Sequence, residues 1–183
     1  MKIMILGAGG IGSWLSFLLI HRQEVEKLLI IDNGFISESN LPYLFATNDI
    51  LSLSKITILK SQLSLYDKEN KIIVSCSDIN NDNLEEGYDI IIDCLDRKYM
   101  HPKADYKLLI DGEYGAILIN DNNIYEKKRN NYVFGFNPLY SIKLGLLFID
   151  FLFLSENKIS VLVDLKENGL YPLGDNKENE TKI

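Results

Sequence analysis

The chain has 183 residues, 46% of them hydrophobic, enough for one domain with a real core and too few for two. Its formal net charge of -7 offers no overall counterion-release affinity for nucleic acid, which excludes DNA or RNA as the default partner. Cys76 and Cys94 form no CxxC pair, so neither a zinc ribbon, a thioredoxin-type redox site nor a disulfide framework is written here, and no zinc is expected.

The stretch Met1 to Leu6 lacks the long apolar run and small-residue cleavage site of a signal peptide. Within it, Lys2 to Leu6 is a short apolar run ending in glycines and reads as a buried parallel strand. Gly10 to about Arg22 carries Ile11, Trp14, Leu15, Phe17, Leu18, Leu19 and Ile20, a mostly buried helix. Leu28 to Asp32 is a second buried strand, followed by a polar loop over Asn33 to Asn40. Ser54 to about Asp67 suits a helix, with Ile56, Ile58, Leu59, Leu63 and Leu65 available for its apolar face. Lys71 to Ser75, Tyr88 to Cys94 and Lys107 to Asp111 read as the third, fourth and fifth strands.

Strands alternating with helices imply parallel pairing and right-handed crossovers. After Gly112 the pattern changes. Gly115 to Asn120 and Asn123 to Lys127 flank Asp121-Asn122, which reads as a hairpin turn. Ser141 to Ser155 is a strongly apolar helix, and Ile159 to Asp164 reads as the last strand. Its apolar core, Leu144 to Leu154, is interrupted by Asp150 and too short to span a bilayer, so a cytoplasmic protein with no membrane partner is expected. The tail from Gly174 is polar and expected to be disordered. The fold class predicted is α/β: one Rossmann-like, doubly wound domain over residues 1–173, with a mainly parallel sheet, a C-terminal antiparallel extension and one late apolar helix.

Gly7-Ala8-Gly9-Gly10-Ile11-Gly12 follows a strand and opens a helix, the setting in which a glycine-rich turn cradles phosphate. Gly7 permits the tight turn, Gly9 lets backbone N–H groups approach an anion, and Gly12 lets the helix sit close to the sheet. The helix N-terminus adds a partial positive charge. Asp32, ending the second strand, is placed to accept hydrogen bonds from ribose hydroxyls. This pattern alone does not separate NAD from ATP.

The same glycine loop with Ser13 resembles the ThiF/MoeB/HesA family, bacterial relatives of the ubiquitin-activating enzymes. Asp32 through Ser39-Asn40-Leu41 is similar to that family's acid–loop–Ser-Asn-Leu signature. Lys55 falls near the family's lysine at the start of the next helix, and Asp93-Cys94-Leu95-Asp96 resembles its Asp-x-x-Asp. The resemblance implies ATP-dependent adenylation of a carboxylate, the C-terminus of a ubiquitin-like or sulfur-carrier protein or of a peptide. It implies nucleotide binding by Gly7, Gly9, Gly10, Ile11, Gly12, Asp32, Asn40 and Lys55. Lys55 and Asp96 would be catalytic, the lysine as a compact cation on the phosphates and Asp96 as the Mg²⁺ ligand. A homodimer or heterodimer is the expected assembly.

The departures from the family pattern are specific. Tyr43-Leu44 stands where Arg-Gln is usual, so a bidentate phosphate clamp is missing. Gly34 replaces an acid, Arg97 replaces an Asn, and His101 lies near a usual arginine. No cysteine follows Cys94, so the thioester-forming thiol of the ubiquitin-activating enzymes has no counterpart. Two other readings therefore stand beside the adenylation reading. One is a catalytically degenerate subunit that binds nucleotide or a partner. The other is an NAD-dependent oxidoreductase, for which no catalytic Tyr-x-x-x-Lys or histidine constellation is evident.

Overall fold

The computed structural model describes residues 1–40, 50–80, 84, 86–96, 100–111, 113–119, 138–156 and 158–173. Hydrophobic alternation in the first strand sets its architecture. In β1 (Lys2–Leu6), Ile3 and Ile5 face one side of the sheet and Met4 and Leu6 the other, and all four are fully buried. A strand buried on both faces belongs in the middle of a parallel sheet. There β1 lies, between β2 (Lys27–Ile31) and β4 (Ile90–Asp93), parallel to both.

The eight described strands form one sheet in the order β3-β2-β1-β4-β5-β6-β7-β8. β3 (Ile72–Ser75) extends the parallel half beyond β2, and β5 (Tyr106–Asp111) extends it beyond β4. From β5 onward the pairing is antiparallel, through β6 (Tyr114–Ile119), β7 (Val161–Asp164) and β8 (Gly169–Pro172). The strand order reverses between β1 and β4, the switch point at which a doubly wound sheet opens a crevice.

Helices α1 (Gly10–Ile20), α2 (Lys55–Ser64) and α3 (Pro138–Leu154) contribute to the core on the Ile3/Ile5 face. The β3–β4 connection crosses the other face, where Leu84, Ile79 and Tyr88 pack against Met4, Leu6, Leu29 and Ile31. α1 lies against both the sheet and α3, which explains an apolar surface wider than one stripe. At Gly145 the two helices approach so closely that a Cβ would stand 2.9 Å from Leu18 Cδ1. The Tyr106 ring meets Phe148 and Phe151 edge-on at 5.3 and 6.2 Å, filling the space between α3 and β5. Arg22, just past α1, places its guanidinium 4.7 Å from the centre of the Phe153 ring.

The predicted α/β class, the parallel half and the late helix are present. One expectation needs correction. Ile159 to Asp164 is not the last strand: a turn after Asp164 leads into β8, whose Gly169–Asp164 and Leu170–Val163 pairs continue the sheet. The strand pairs of β6 are with β5 and β7. The expected Asp121-Asn122 turn and its Asn123 to Lys127 arm lie outside the described residues, as does the tail from Gly174. Among the described residues, no helix is long and apolar enough to cross a membrane.

Phe148 is fully buried at the centre of the aromatic contacts. Phe148→Ala is expected to cost about 3–5 kcal/mol of stability, read as a lower midpoint in urea denaturation.

Candidate functional site

The glycine loop is held by short-range backbone geometry. Gly7 adopts φ +98°, a left-handed conformation that other residues rarely take, and its N–H donates to the Ile31 carbonyl at 2.8 Å. A Cβ on Gly12 would stand 1.9 Å from the Gly7 carbonyl oxygen, so α1 abuts the loop that feeds it. Ser13 braces the turn twice: its N–H donates to the Gly9 carbonyl at 2.9 Å and its hydroxyl to the Ala8 carbonyl at 3.0 Å. Gly9 is different. A Cβ there would meet no protein atom within 4 Å, so the space in front of it is open. No side chain caps the helix at Gly9 and no acid occupies its first turn. The N–H groups and positive dipole end of α1 therefore face the crevice with no side-chain cap of their own.

Asp32 ties this loop to the next. Its Oδ2 accepts the Ala8 N–H at 2.7 Å, and its Oδ1 accepts the Gly34 N–H at 2.6 Å. Each oxygen keeps a second lone pair for an incoming hydroxyl. The chain after Asp32 zips against the residues preceding α2. Ile36 N–H donates to the Leu53 carbonyl at 2.8 Å, Lys55 N–H to the Gly34 carbonyl at 3.0 Å, and Phe35 bridges Ser54. This zipper brings the Lys55 ammonium to the Asp32 turn. A Cβ on Gly34 would stand 2.9 Å from Asp32 Oδ1 and 3.4 Å from Lys55 Nζ. The glycine found where the family pattern has an acid thus makes room for lysine and carboxylate to approach. Among the described residues, no carboxylate lies within ion-pair distance of the Lys55 amine.

Asn40 ends a single 3-10 turn (Glu38–Asn40). Its Oδ1 accepts from the Ser37 N–H at 3.2 Å and the Ser37 hydroxyl at 3.0 Å, which leaves its Nδ2 as the group able to donate to a ligand. Asn33 Nδ2 donates to Asp78, joining the β2 and β3 loops.

The other flank is built from the end of β4. The Gly7 turn packs on it, because a Cβ at Gly7 would lie 3.0 Å from Leu95 Cδ2 and 3.3 Å from the Cys94 carbonyl carbon. Asp96 follows directly and is exposed. Asp93 is buried instead: its oxygens accept the Leu95 N–H at 2.9 Å and the His101 N–H at 2.7 Å, and the Lys107 amine stands 3.4 Å away. His101 is also buried, its Nδ1 accepting the Lys103 N–H at 3.2 Å, so it anchors the segment returning to β5. Burial, reinforced by the Asp93 carboxylate, pushes the Cys94 thiol far above its ordinary range, with Lys107 opposing.

Asp32 and Lys55 thus flank the glycine loop on the β2 side and Asp96 on the β4 side, around the switch-point crevice. No described contact joins Asn40 to these groups. Tyr43, Leu44, Arg97 and Lys98 lie outside the described residues. The Asp93–Lys107 pair is a feature that sequence reasoning missed. The available signal was an acid ending one apolar strand and a lysine beginning the next. Among the described residues, no group of three or more His, Cys, Asp or Glu could hold a metal. The exposed Asp96 carboxylate fits a Mg²⁺ that completes its shell with phosphate oxygens and water, as that ion commonly does.

The profile of the ThiF family matches residues 1–109. The chain belongs to the ThiF family. No curated protein matches this ThiF-family chain. E. coli MccB is similar in fold, with TM-score 0.70 and 17% identity over 96% of this chain and 63% of its own. The structure of E. coli MccB with ATP matches with TM-score 0.65 and 19% identity over 93% of this chain and 63% of that one. E. coli tRNA N6-threonylcarbamoyladenosine dehydratase, TcdA, is 25% identical over 52% of this chain and 42% of its own, with TM-score 0.47. The chain spans less than two thirds of the length of each.

Two outcomes follow from this geometry. Gly12→Ala is expected to destabilise the fold by about 3 kcal/mol or more, because its neighbour is backbone, while Gly9→Ala shifts the thermal midpoint by no more than a few degrees. In native-state alkylation at pH 8, Cys76, which is exposed, is expected to react with iodoacetamide while Cys94 stays unlabelled until urea is added.

Proposed function

We propose that this chain binds ATP with Mg²⁺ and adenylates a carboxylate. The observation that carries the proposal is the Lys55 amine, brought by the Phe35–Ser54 zipper to the Asp32 turn beside an uncapped helix N-terminus. A cation with no carboxylate in ion-pair distance among the described residues, beside open backbone donors, suits a polyphosphate. MccB, which shares the fold, has been solved with ATP and with MccA-N7isoAsn. That supports a peptide or protein carboxylate as substrate, with the C-terminus of a ubiquitin-like or sulfur-carrier protein as the substrate class the family pattern suggests.

In this reading the remaining lone pairs of Asp32 take the ribose hydroxyls, and Asn40 contributes its Nδ2. Gly9, Gly10, Ile11 and Gly12 present N–H groups and open space to the phosphates. Lys55 draws the triphosphate toward α2 and neutralises charge as a substrate carboxylate oxygen bonds to the α-phosphorus and the bond to pyrophosphate breaks. Asp96 would hold Mg²⁺, which when bound supplies charge neutralisation on the leaving pyrophosphate. No protein nucleophile is needed for this step. The catalysis asked of the protein is positioning and charge.

One observation favours a second reading, a nucleotide-binding subunit that needs a partner for turnover. Tyr43-Leu44 occupies the place of the usual Arg-Gln, and tyrosine supplies no cation for the phosphates. Pyrophosphate exchange with candidate carrier proteins and peptides, alone and after mixing with candidate partner subunits, separates the two. Lys55→Ala is expected to lower exchange by about 10²–10³-fold while leaving the urea midpoint within error. The absence of calorimetric binding at millimolar ATP and Mg²⁺, or a preference for NAD, sinks the proposal.

A further inference from the structure

We infer that Lys107 is a positioning residue that sets the Asp96 carboxylate through the buried Asp93 pair. The inference rests on the Mg²⁺–ATP reading of Asp96 and extends it to a residue that touches neither group.

Lys107 is 1% exposed and Asp93 is fully buried, and the two are register partners across the parallel β4–β5 pair. A lysine here is costly unless its ammonium is engaged on several sides. Its Nζ donates to the Leu95 carbonyl at 3.0 Å and lies 3.4 Å from Asp93 Oδ2. That carbonyl belongs to the peptide bond leading into Asp96. On the other side of the same residue, the Leu95 N–H donates to Asp93 Oδ1 at 2.9 Å. Leu95 is therefore clasped at both backbone groups by one ion pair. Asp93 Oδ2 also takes the His101 N–H at 2.7 Å, which fixes the far side of the excursion. The return to β5 is pinned again by Asp105, whose N–H donates to the Ile91 carbonyl at 2.8 Å and whose Oδ2 accepts the Ile91 N–H at 2.7 Å.

The clasp acts on both partners of the proposed site. Leu95 Cδ2 lies 3.0 Å from where a Gly7 Cβ would stand, so the residue bearing Asp96 is also the one on which the phosphate turn rests. Rotation of the Leu95–Asp96 peptide would change the distance between a carboxylate and the loop opposite it. Hydrogen bonding to that peptide from a buried ammonium resists the rotation. Groups that orient a metal ligand from behind in this way tune metal affinity more than they tune the ligand-free site.

Lys107→Met alone strands the Asp93 carboxylate and is expected to unfold much of the protein. The informative variant is Asp93→Asn/Lys107→Met, which removes both charges together. With this variant folded by its urea transition, the gain in ATP affinity on adding Mg²⁺ is expected to fall about 10-fold or more, while metal-free ATP affinity holds within about twofold. In an Asp96→Asn background the same pair of changes is expected to add nothing further, as required of a residue acting through Asp96. Amide exchange at Leu95, Asp96 and His101 should quicken selectively against the rest of the sheet. Equal losses with and without Mg²⁺, full additivity with Asp96→Asn, or exchange that rises uniformly would each overturn the inference. If the unaltered protein binds no ATP in either condition, the adenylation reading falls. The exchange pattern then decides the clasp on its own, a selective rise supporting it and a uniform or absent one overturning it.

Discussion

The Cα hydrogen of Gly12 points at the carbonyl of Gly7, where any other residue would place a carbon 1.9 Å from that oxygen. Everything at the crevice descends from this contact. It lets α1 begin directly against the end of β1, which aims the helix axis at the space beyond the strand. It also fixes the Gly7 turn, whose N–H is then spent on Ile31. The next donors, from Gly9 onward, remain available to something that is not protein. A larger residue at Gly12 would push the helix away and lose the alignment of dipole, loop and sheet together.

Around that contact the fold distributes charge unevenly. Asp32 spends an interaction from each oxygen on loop backbone, so it is a structural tie before it is a ligand group. Lys55 is brought in from α2 by backbone pairing and left without a carboxylate among the described residues. Asp93 and Lys107 are the reverse case, two charges withdrawn from solvent and satisfied by each other and by backbone. Breaking one half of such a pair commonly costs about 3–5 kcal/mol, because the survivor stays buried. The site thus has a partly exposed cation at its mouth and a buried one beneath its floor.

Much of this was legible in the sequence, for identifiable reasons. The β1–loop–α1–β2 unit follows from apolar runs buried on both faces and punctuated by glycines, and the structure places each element within a residue or two. α2 was readable from its apolar spacing. β8 was not, because Gly169 to Pro172 is a four-residue edge strand with an exposed Leu170 and Tyr171, carrying no alternation to detect. The burial of Lys107 was also hidden, since lysine is ordinarily a surface residue and its partner lies on another strand. Asn40 shows a third limit: its place in a motif says nothing of the Ser37 contacts that occupy its oxygen.

The central position of β1 carries a consequence for how the chain comes together. Its two neighbours are β2 and β4, and the second of these begins only at Ile90. One edge of this buried strand therefore stays unpaired until β4 has been made. The antiparallel half differs, because β5–β6 and β7–β8 join neighbours across short turns. Closure of β1 on β4 is the high-contact-order event, and it sets the pace of folding while those hairpins form quickly on their own.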